Sequence, residues 1–364
     1  MVKSIWFRIG LPLVLSLASS CIEKFDTNFD ERTPRVVING IISDQPGETF
    51  VSLFYTRDYV TGYAEPFISI DGAVVKVLDS GGDTEFELFY EKDKYVPIHD
   101  GDKGIAGGSY ILEVILENGD VYQSEIVTIP EYLPNIDKLE PELTKHLEYN
   151  ERNDNFIIVN KVNLNVDFTS GKRGYLQWEV EGVVEILSLN DPRGFTTGPT
   201  CYLKQGITGK KHFFAKNPSE PMVSKKVSAV TDIPFNSDFR WGYGFTLKQY
   251  AIEPEAYEYL RKTKLLMESS GSLFDPFPAP IEGNVRKLDD PDKWVLGYII
   301  ARKGGKVAHL VTNASRLGKS MKTGCEQAVE DILSGNAPDR NIPSYCFNCL
   351  EIEGTTTEKP DYWY

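Results

Sequence analysis

The 364-residue chain carries 53 acidic and 39 basic side chains, for a formal charge of −14, and is 41% hydrophobic and 12% aromatic. This length gives roughly two domains of about 150 residues, and the apolar content suits a packed core rather than a disordered chain. The acidic balance argues against nucleic-acid binding, which needs clustered Lys and Arg on phosphates, and against peripheral attraction to anionic lipid headgroups.

Residues 1–20 read as a signal peptide. Lys3 and Arg8 make a positive start, Ile9 to Leu17 form a short apolar run, and the small residues Ala18, Ser19 and Ser20 lead to Cys21. Such a run is too short to span ~30 Å of hydrocarbon as a mature helix, so cleavage is expected. We expect the cut before Cys21 and lipid on its thiol; the alternative is an ordinary signal with Cys21 as a structural cysteine. One acyl chain holds a membrane weakly, so stable anchoring implies several. Loss of residues 1–20, which hold Lys3 and Arg8 and no acid, takes the charge from −14 to −16. Residues 21–34 are polar, charged and aperiodic, and form the lipidated tether.

The expected fold class is mainly β, with an Ig-like or fibronectin-like β-sandwich over residues 35–130. Val36–Ile42 is β-branched and ends at the turn Asp44-Gln45-Pro46-Gly47. Thr49–Thr56 alternates. Phe67–Ile70 and Ala73–Leu78 flank Asp71-Gly72, and Tyr110–Leu116 and Val121–Ile129 flank Asn118-Gly119, two hairpin signals. Phe86–Tyr90 and Tyr95–Ile98 are short strands. Tyr110 follows Ile105 and Gly107-Gly108 at tyrosine-corner spacing, where its hydroxyl would bond back to upstream backbone. A plain core Tyr at a strand start is the other reading.

Residues 131–141, punctuated by prolines, read as a linker. A second β-rich domain then occupies 142–364. Its strands are expected at Phe156–Phe168, Gly174–Leu189, Cys201–Tyr202, Val223–Val230, Tyr243–Tyr250, Val295–Arg302 and Val307–Asn313. One main helix is expected over about 254–270. Pro254 suits its first position and Glu255 its positive end, while Ala256, Leu260, Thr263 and Met267 share a face. The proline-rich stretch Phe274–Pro280 follows, and a disulfide-containing tail ends the domain.

If Cys21 carries lipid, four cysteines remain: Cys201, Cys325, Cys346 and Cys349. An even number in an exported chain implies two disulfides, with three connectivities possible. A redox role for Cys346-Phe347-Asn348-Cys349 ranks second, because such sites need a helix N-terminus. Zinc ranks third, for want of two further ligands nearby. The histidines His99, His146, His212 and His309 are scattered, and no nucleophile elbow or phosphate loop is present. The acidic clusters read as solvated turns rather than calcium loops. No catalytic residue, metal or cofactor is expected. Trp241, Tyr243 and Phe245 alternate on one strand face, and with Phe274 and Phe277 they are the candidate contact aromatics. Core packing is the competing reading.

Several segments occur in a specific order. They are Glu23 and Phe25; Val36-Val37-Ile38-Asn39-Gly40-Ile41-Ile42-Ser43-Asp44; Gly271-Ser272-Leu273-Phe274-Asp275-Pro276-Phe277-Pro278-Ala279-Pro280; Gly283-Asn284; Val295-Leu296-Gly297-Tyr298; Cys346-Phe347-Asn348-Cys349; Gly354; and Lys359-Pro360-Asp361-Tyr362-Trp363. Together they resemble the Bacteroidota outer-membrane lipoprotein family of domain-of-unknown-function 4249. The resemblance defines no catalytic residues. It implies a non-enzymatic accessory or binding protein beside a TonB-dependent receptor, lipid-anchored in the outer membrane, with the cell surface favoured over the periplasmic face. The partner would be an integral β-barrel receptor. A structural surface module of an envelope assembly and an exported hydrolase are the alternatives. Asn39-Gly40 fits a bulge or bend in the first strand.

Overall fold

The computed structural model describes residues 34–56, 67–150, 152–170, 174–190, 198–206, 213–217, 223–227, 233–268, 281–290, 295–336 and 341–363. The expected signal peptide, Cys21, nearly all of the tether, Phe274 and Phe277 lie outside these residues. Among those described, the architecture is mainly β, with one large mixed sheet, a smaller sheet and two α-helices.

In the first half the strands are β1 (Val36–Ser43), β2 (Phe50–Thr56), β3 (Phe67–Ser69), β4 (Val74–Asp79), β5 (Thr84–Glu91), β6 (Lys94–Pro97), β7 (Ser109–Ile115), β8 (Val121–Ser124) and β9 (Val127–Thr128). Their inward positions follow the alternation of the sequence. Ile38, Ile42, Val51, Leu53, Val75, Val77, Leu112 and Val114 all reach one core. The β7–β8 hairpin forms as expected, with Gly119 at φ 86°, a conformation that suits glycine. The tyrosine corner also forms, as Ile105 N–H donates to the Tyr110 hydroxyl at 2.7 Å.

The hairpin expected at Asp71-Gly72 does not form. β3 pairs with β2, and β4 pairs with β5 and β7. The Tyr95 hydroxyl pins this crossing, donating to Ile70 O and accepting from Ala73 N–H, each at 3.0 Å. The expected irregularity at Asn39-Gly40 is also absent, because β1 pairs with β2 without a register shift. The special geometry sits opposite, at Gly297 with φ +98°, where a Cβ would lie 2.2 Å from Ile38 O. Asn39 Oδ1 accepts from Tyr298 N–H at 3.1 Å.

The second half contains β10 (Asn135–Asn150), β11 (Asn155–Ser170), β12 (Gly174–Leu187), β13 (Thr200–Gly206), β14 (Phe213–Asn217), β15 (Val223–Val227), β16 (Ile233–Pro234) and β17 (Gly242–Ile252). Helix α1 (Pro254–Glu268), β18 (Val285–Lys287), β19 (Ile299–Thr312), α2 (Gly324–Leu333) and β20 (Thr355–Thr356) complete it. The expected linker is strand from Asn135 onward. Pro141 is accommodated because β10 lies at the end of its sheet, where a missing N–H breaks no ladder.

The two halves share the large sheet, in the order β18-β8-β7-β4-β5-β6-β2-β1-β19-β17-β12-β13-β20. β19 is the join. It pairs parallel with β1 and antiparallel with β17, merging the two strands expected at Val295–Arg302 and Val307–Asn313. Asn284 reinforces the return by donating to Ile299 O and accepting from Ile299 N–H, at 2.9 and 2.8 Å. The smaller sheet, β10-β11-β15 with β16 on β11, covers a second core built on Val162, Leu164, Trp178, Tyr243 and Phe245.

Helix α1 buries Ala256 and Leu260 against Ile252, Tyr298 and Ile300, whereas Met267, expected on the same stripe, is exposed. Helix α2 was not expected. Thr323 and Glu326 form a reciprocal capping box at its start, and the Glu326 carboxylate also accepts from Arg240 at 2.8 Å. Two disulfides, Cys201–Cys349 and Cys325–Cys346, tie β13 and α2 to the tail. Trp363 then lies over β17, where a Cβ on Gly244 would come within 2.4 Å of its indole.

Candidate functional site

Two places stand out by exposure and chemistry, and the first is the β10–β11 hairpin. Residues directly opposite in an antiparallel pair share a face. On one face the pairs run Leu139↔Val166, Pro141↔Leu164, Leu143↔Val162, Lys145↔Asn160, Leu147↔Ile158 and Tyr149↔Phe156. Val162, Leu164 and Val166 are fully buried in the second core, with Leu139 and Leu143 packed against them. Beyond Lys145 the same apolar alternation continues, without cover among the described residues. Leu147, Phe156 and Ile158 are 66%, 65% and 68% exposed, and Tyr149 is about half exposed. The Tyr149 and Phe156 rings meet edge-to-face with centroids 5.4 Å apart. Four large apolar side chains therefore share one exposed face, a contiguous patch where scattered ones would need no explanation.

The second place is a cleft of about 510 Å³ on the outer face of the large sheet. Asn39 and Ile41 of β1, Phe50 of β2, residues 177–181 of β12 and Tyr298 and Ile300 line it, and Tyr259, Leu260 and Thr263 of α1 form its roof. Strand alternation decides which β12 residues point outward. Trp178 and Val180 belong to the second core, so Gln177, Glu179 and Glu181 face the other way. Gln177 is buried, and its Oε1 has no hydrogen-bond partner.

A charged cluster adjoins the cleft. The buried Arg302 guanidinium donates to Glu179 Oε1 at 2.6 Å and to Glu48 Oε2 at 3.2 Å. The Tyr250 hydroxyl lies 3.1 Å from Glu48 Oε1 and 3.3 Å from Glu179 Oε2 and donates between them. Burial pushes the Tyr250 hydroxyl well above its ordinary pKa, although the Arg302 charge pulls it back, so it remains a donor. Next to it, Asp44 accepts from Gly304 N–H, Gln45 and Lys303. Burial raises the Asp44 pKa, but those bonds and the Lys303 charge outweigh it and hold the carboxyl below its usual value. This explains why the first strand ends on Ser43-Asp44: the carboxylate clamps the β1–β2 turn to β19.

The expected aromatic contact row is corrected. Tyr243 and Phe245 are 1% and 0% exposed, with centroids 4.7 Å apart in the second core. The reason is position, since β17 runs between β19 and β12 and its odd-numbered side chains face the smaller sheet. Trp241, just before the strand, is half-buried with the Arg240 guanidinium 4.3 Å from its ring. Cys346 and Cys349 bond to different partners, so they form neither a redox pair nor a zinc site. His309 stacks on Tyr362, and His146 bonds to Thr144; His212 lies outside the described residues. Among the described residues no group of three or more His, Cys, Asp or Glu could hold a metal, and no helix is long and apolar enough to cross a membrane.

Gln177, Arg302 and the hairpin tip were not expected from the sequence. Their signal was weak, because each lies in an ordinary alternating strand and only distant pairing reveals its surroundings. Residues 22–305 match the family described as Domain of unknown function (DUF4249). No curated protein matches the chain.

Proposed function

The chain belongs to the DUF4249 family, and on that premise we propose that it is an outer-membrane lipoprotein, anchored through Cys21, that serves as a non-enzymatic accessory or binding protein of an integral β-barrel receptor of the TonB-dependent class. One observation carries the partner-binding part of this reading. The distal face of the β10–β11 hairpin presents Leu147, Tyr149, Phe156 and Ile158 to solvent, and burial of that face gains about 25 cal/mol per Å². The disulfides Cys201–Cys349 and Cys325–Cys346 support an oxidising, extracytoplasmic location. The acidic surface favours lateral contact with protein over contact with anionic headgroups. A tether of about a dozen residues reaches no more than ~40 Å, which keeps the protein beside an integral partner at the cell surface. We read the first half as an Ig-like or fibronectin-like module held by the Tyr110 corner.

The test uses Leu147→Ser combined with Phe156→Ser. Both side chains are exposed, so only their cross-strand contacts with Ile158 and Tyr149 are lost, and the protein should stay folded with a small drop in thermal stability. Co-purification of a β-barrel receptor from detergent-solubilised membranes should be lost. Unchanged recovery of the receptor would overturn the hairpin as the contact. Absence of any receptor with the wild-type protein would overturn the partner class and leave a structural surface module in front.

A further inference from the structure

We infer that the cleft beneath α1 binds an organic cation, an ammonium or guanidinium group carried on an apolar stem. The first observation is an acceptor left waiting. Gln177 lines the cleft at 6% exposure, and its Oε1 is buried without a donor. Buried polar atoms are almost always paired, so an orphan acceptor beside a cavity of ligand size points to a donor supplied from outside.

The second observation is charge. The lining includes Glu179 and Glu181 and contains no Lys, Arg or His among the described residues. Glu181 is matched by Lys248 at 3.0 Å. Glu179 is not matched one-to-one, because Arg302 is shared between it and Glu48. One guanidinium between two carboxylates leaves that group a net negative charge, and Tyr250 adds a hydroxyl but no charge. An anion would be repelled from this wall, and a neutral ligand would leave the charge uncompensated. A monocation satisfies both the charge and the Gln177 acceptor.

The third observation is the remaining surface. Tyr259 and Tyr298 stack at 4.4 Å, and Ile41, Ile300 and Leu260 supply an apolar path for a stem. Aromatic faces attract cations. The Phe50 ring, also in the lining, already faces one, with the Lys94 ammonium 5.3 Å from its centroid. The chain's charge of −14 draws cations toward the surface as a whole.

A free diamine and a basic side chain on a peptide offer the same chemistry. Intact protein purified in detergent is titrated calorimetrically with cadaverine, with acetyl-Gly-Lys-Gly-amide, and with the same peptide acetylated on its lysine. The expected result is saturable binding of cadaverine or the lysine peptide, weakened by salt, and at least about tenfold weaker for the acetylated peptide. Binding of cadaverine alone assigns a free amine; binding of the peptide alone assigns a basic side chain. Gln177→Met should lower the affinity about tenfold. Glu181→Gln, at an exposed position, should weaken binding without touching the core. Equal binding of the acetylated peptide, undiminished binding by folded Gln177→Met and Glu181→Gln proteins, or no saturable binding of either cation would overturn the inference. Receptor co-purification through the hairpin does not involve the cleft, so the two readings fail separately.

Discussion

The Arg302 guanidinium lies 3.7 Å from the centroid of the Tyr250 ring, and both side chains reach the same two carboxylates, Glu48 and Glu179. Arg302 is 4% exposed, so its charge is tolerated only because it is paired. Arg302→Met leaves the two carboxylates facing each other, and we expect a loss of about 3 kcal/mol in urea unfolding, the lower end for a broken buried pair because both acids reach solvent. Tyr250→Phe keeps the ring under the guanidinium and should cost about 1 kcal/mol. Arg302→Met combined with Glu179→Gln should recover part of the loss; no recovery would show that packing, not charge, sets the cost.

Stability should depend on pH through Glu253. Its carboxylate accepts from Thr128 N–H at 2.7 Å, joining β9 to the start of α1. Burial, opposed by that bond and aided by the Glu255 charge, pushes its pKa up to about 7 from an ordinary 4.5. Between those values the folded protein holds a proton that the unfolded chain has released. Stability therefore falls as pH rises across that window and levels off above it. Glu253→Gln removes the titration and keeps an acceptor for Thr128. Relative to that variant, the wild-type protein should lose on the order of 1–2 kcal/mol between about pH 4.5 and 7.5, read from urea midpoints. Parallel curves for the two proteins would contradict the assignment.

The disulfides should differ in weight. Cys201–Cys349 closes 148 residues and Cys325–Cys346 closes 21. Loop entropy alone gives about 5 and about 3 kcal/mol respectively. Paired Cys→Ala variants, compared by denaturant unfolding, should show the longer loop costing more. Denatured, unreduced wild-type protein should label no thiol at Cys346 or Cys349.

Cys21→Ala should release the protein from the membrane. Cell fractionation and palmitate labelling check this. Persistent sedimentation with membranes together with palmitate on the variant would contradict the anchoring proposal.

Much of the local structure was legible in the residues, and the failures have identifiable causes. Asn118-Gly119 marked a real hairpin because Gly119 takes positive φ. Gly72 does not, so the same kind of signal at Asp71-Gly72 gave a crossing instead. The β5–β6 turn goes through Lys92 and Asp93, both at positive φ without a glycine, and carries no such signature. Thr323-x-x-Glu326 has the spacing of a capping box, but the ten-residue helix it opens is too short for periodicity alone to mark. Joining of the halves was beyond reach. Gly40 pairs with Ile299, and neither local propensity nor periodicity specifies a parallel partner so distant in sequence. For the same reason the neighbours of Gln177 and Arg302 were hidden, and an alternating Tyr243-Gly244-Phe245 could not be told from a surface row.

A photo-crosslinking amino acid placed at Phe156 in intact cells, with the adducts identified by mass spectrometry, tests the proposed receptor contact. Phe156 is 65% exposed at the hairpin tip, so the replacement leaves the folded core untouched. The expected result is a dominant adduct with an integral outer-membrane β-barrel, absent when the same group is placed at the exposed Ile105 of the first half. Recovery of monomer and abundant bystander lipoproteins alone, or equal β-barrel adducts from both positions, would contradict it.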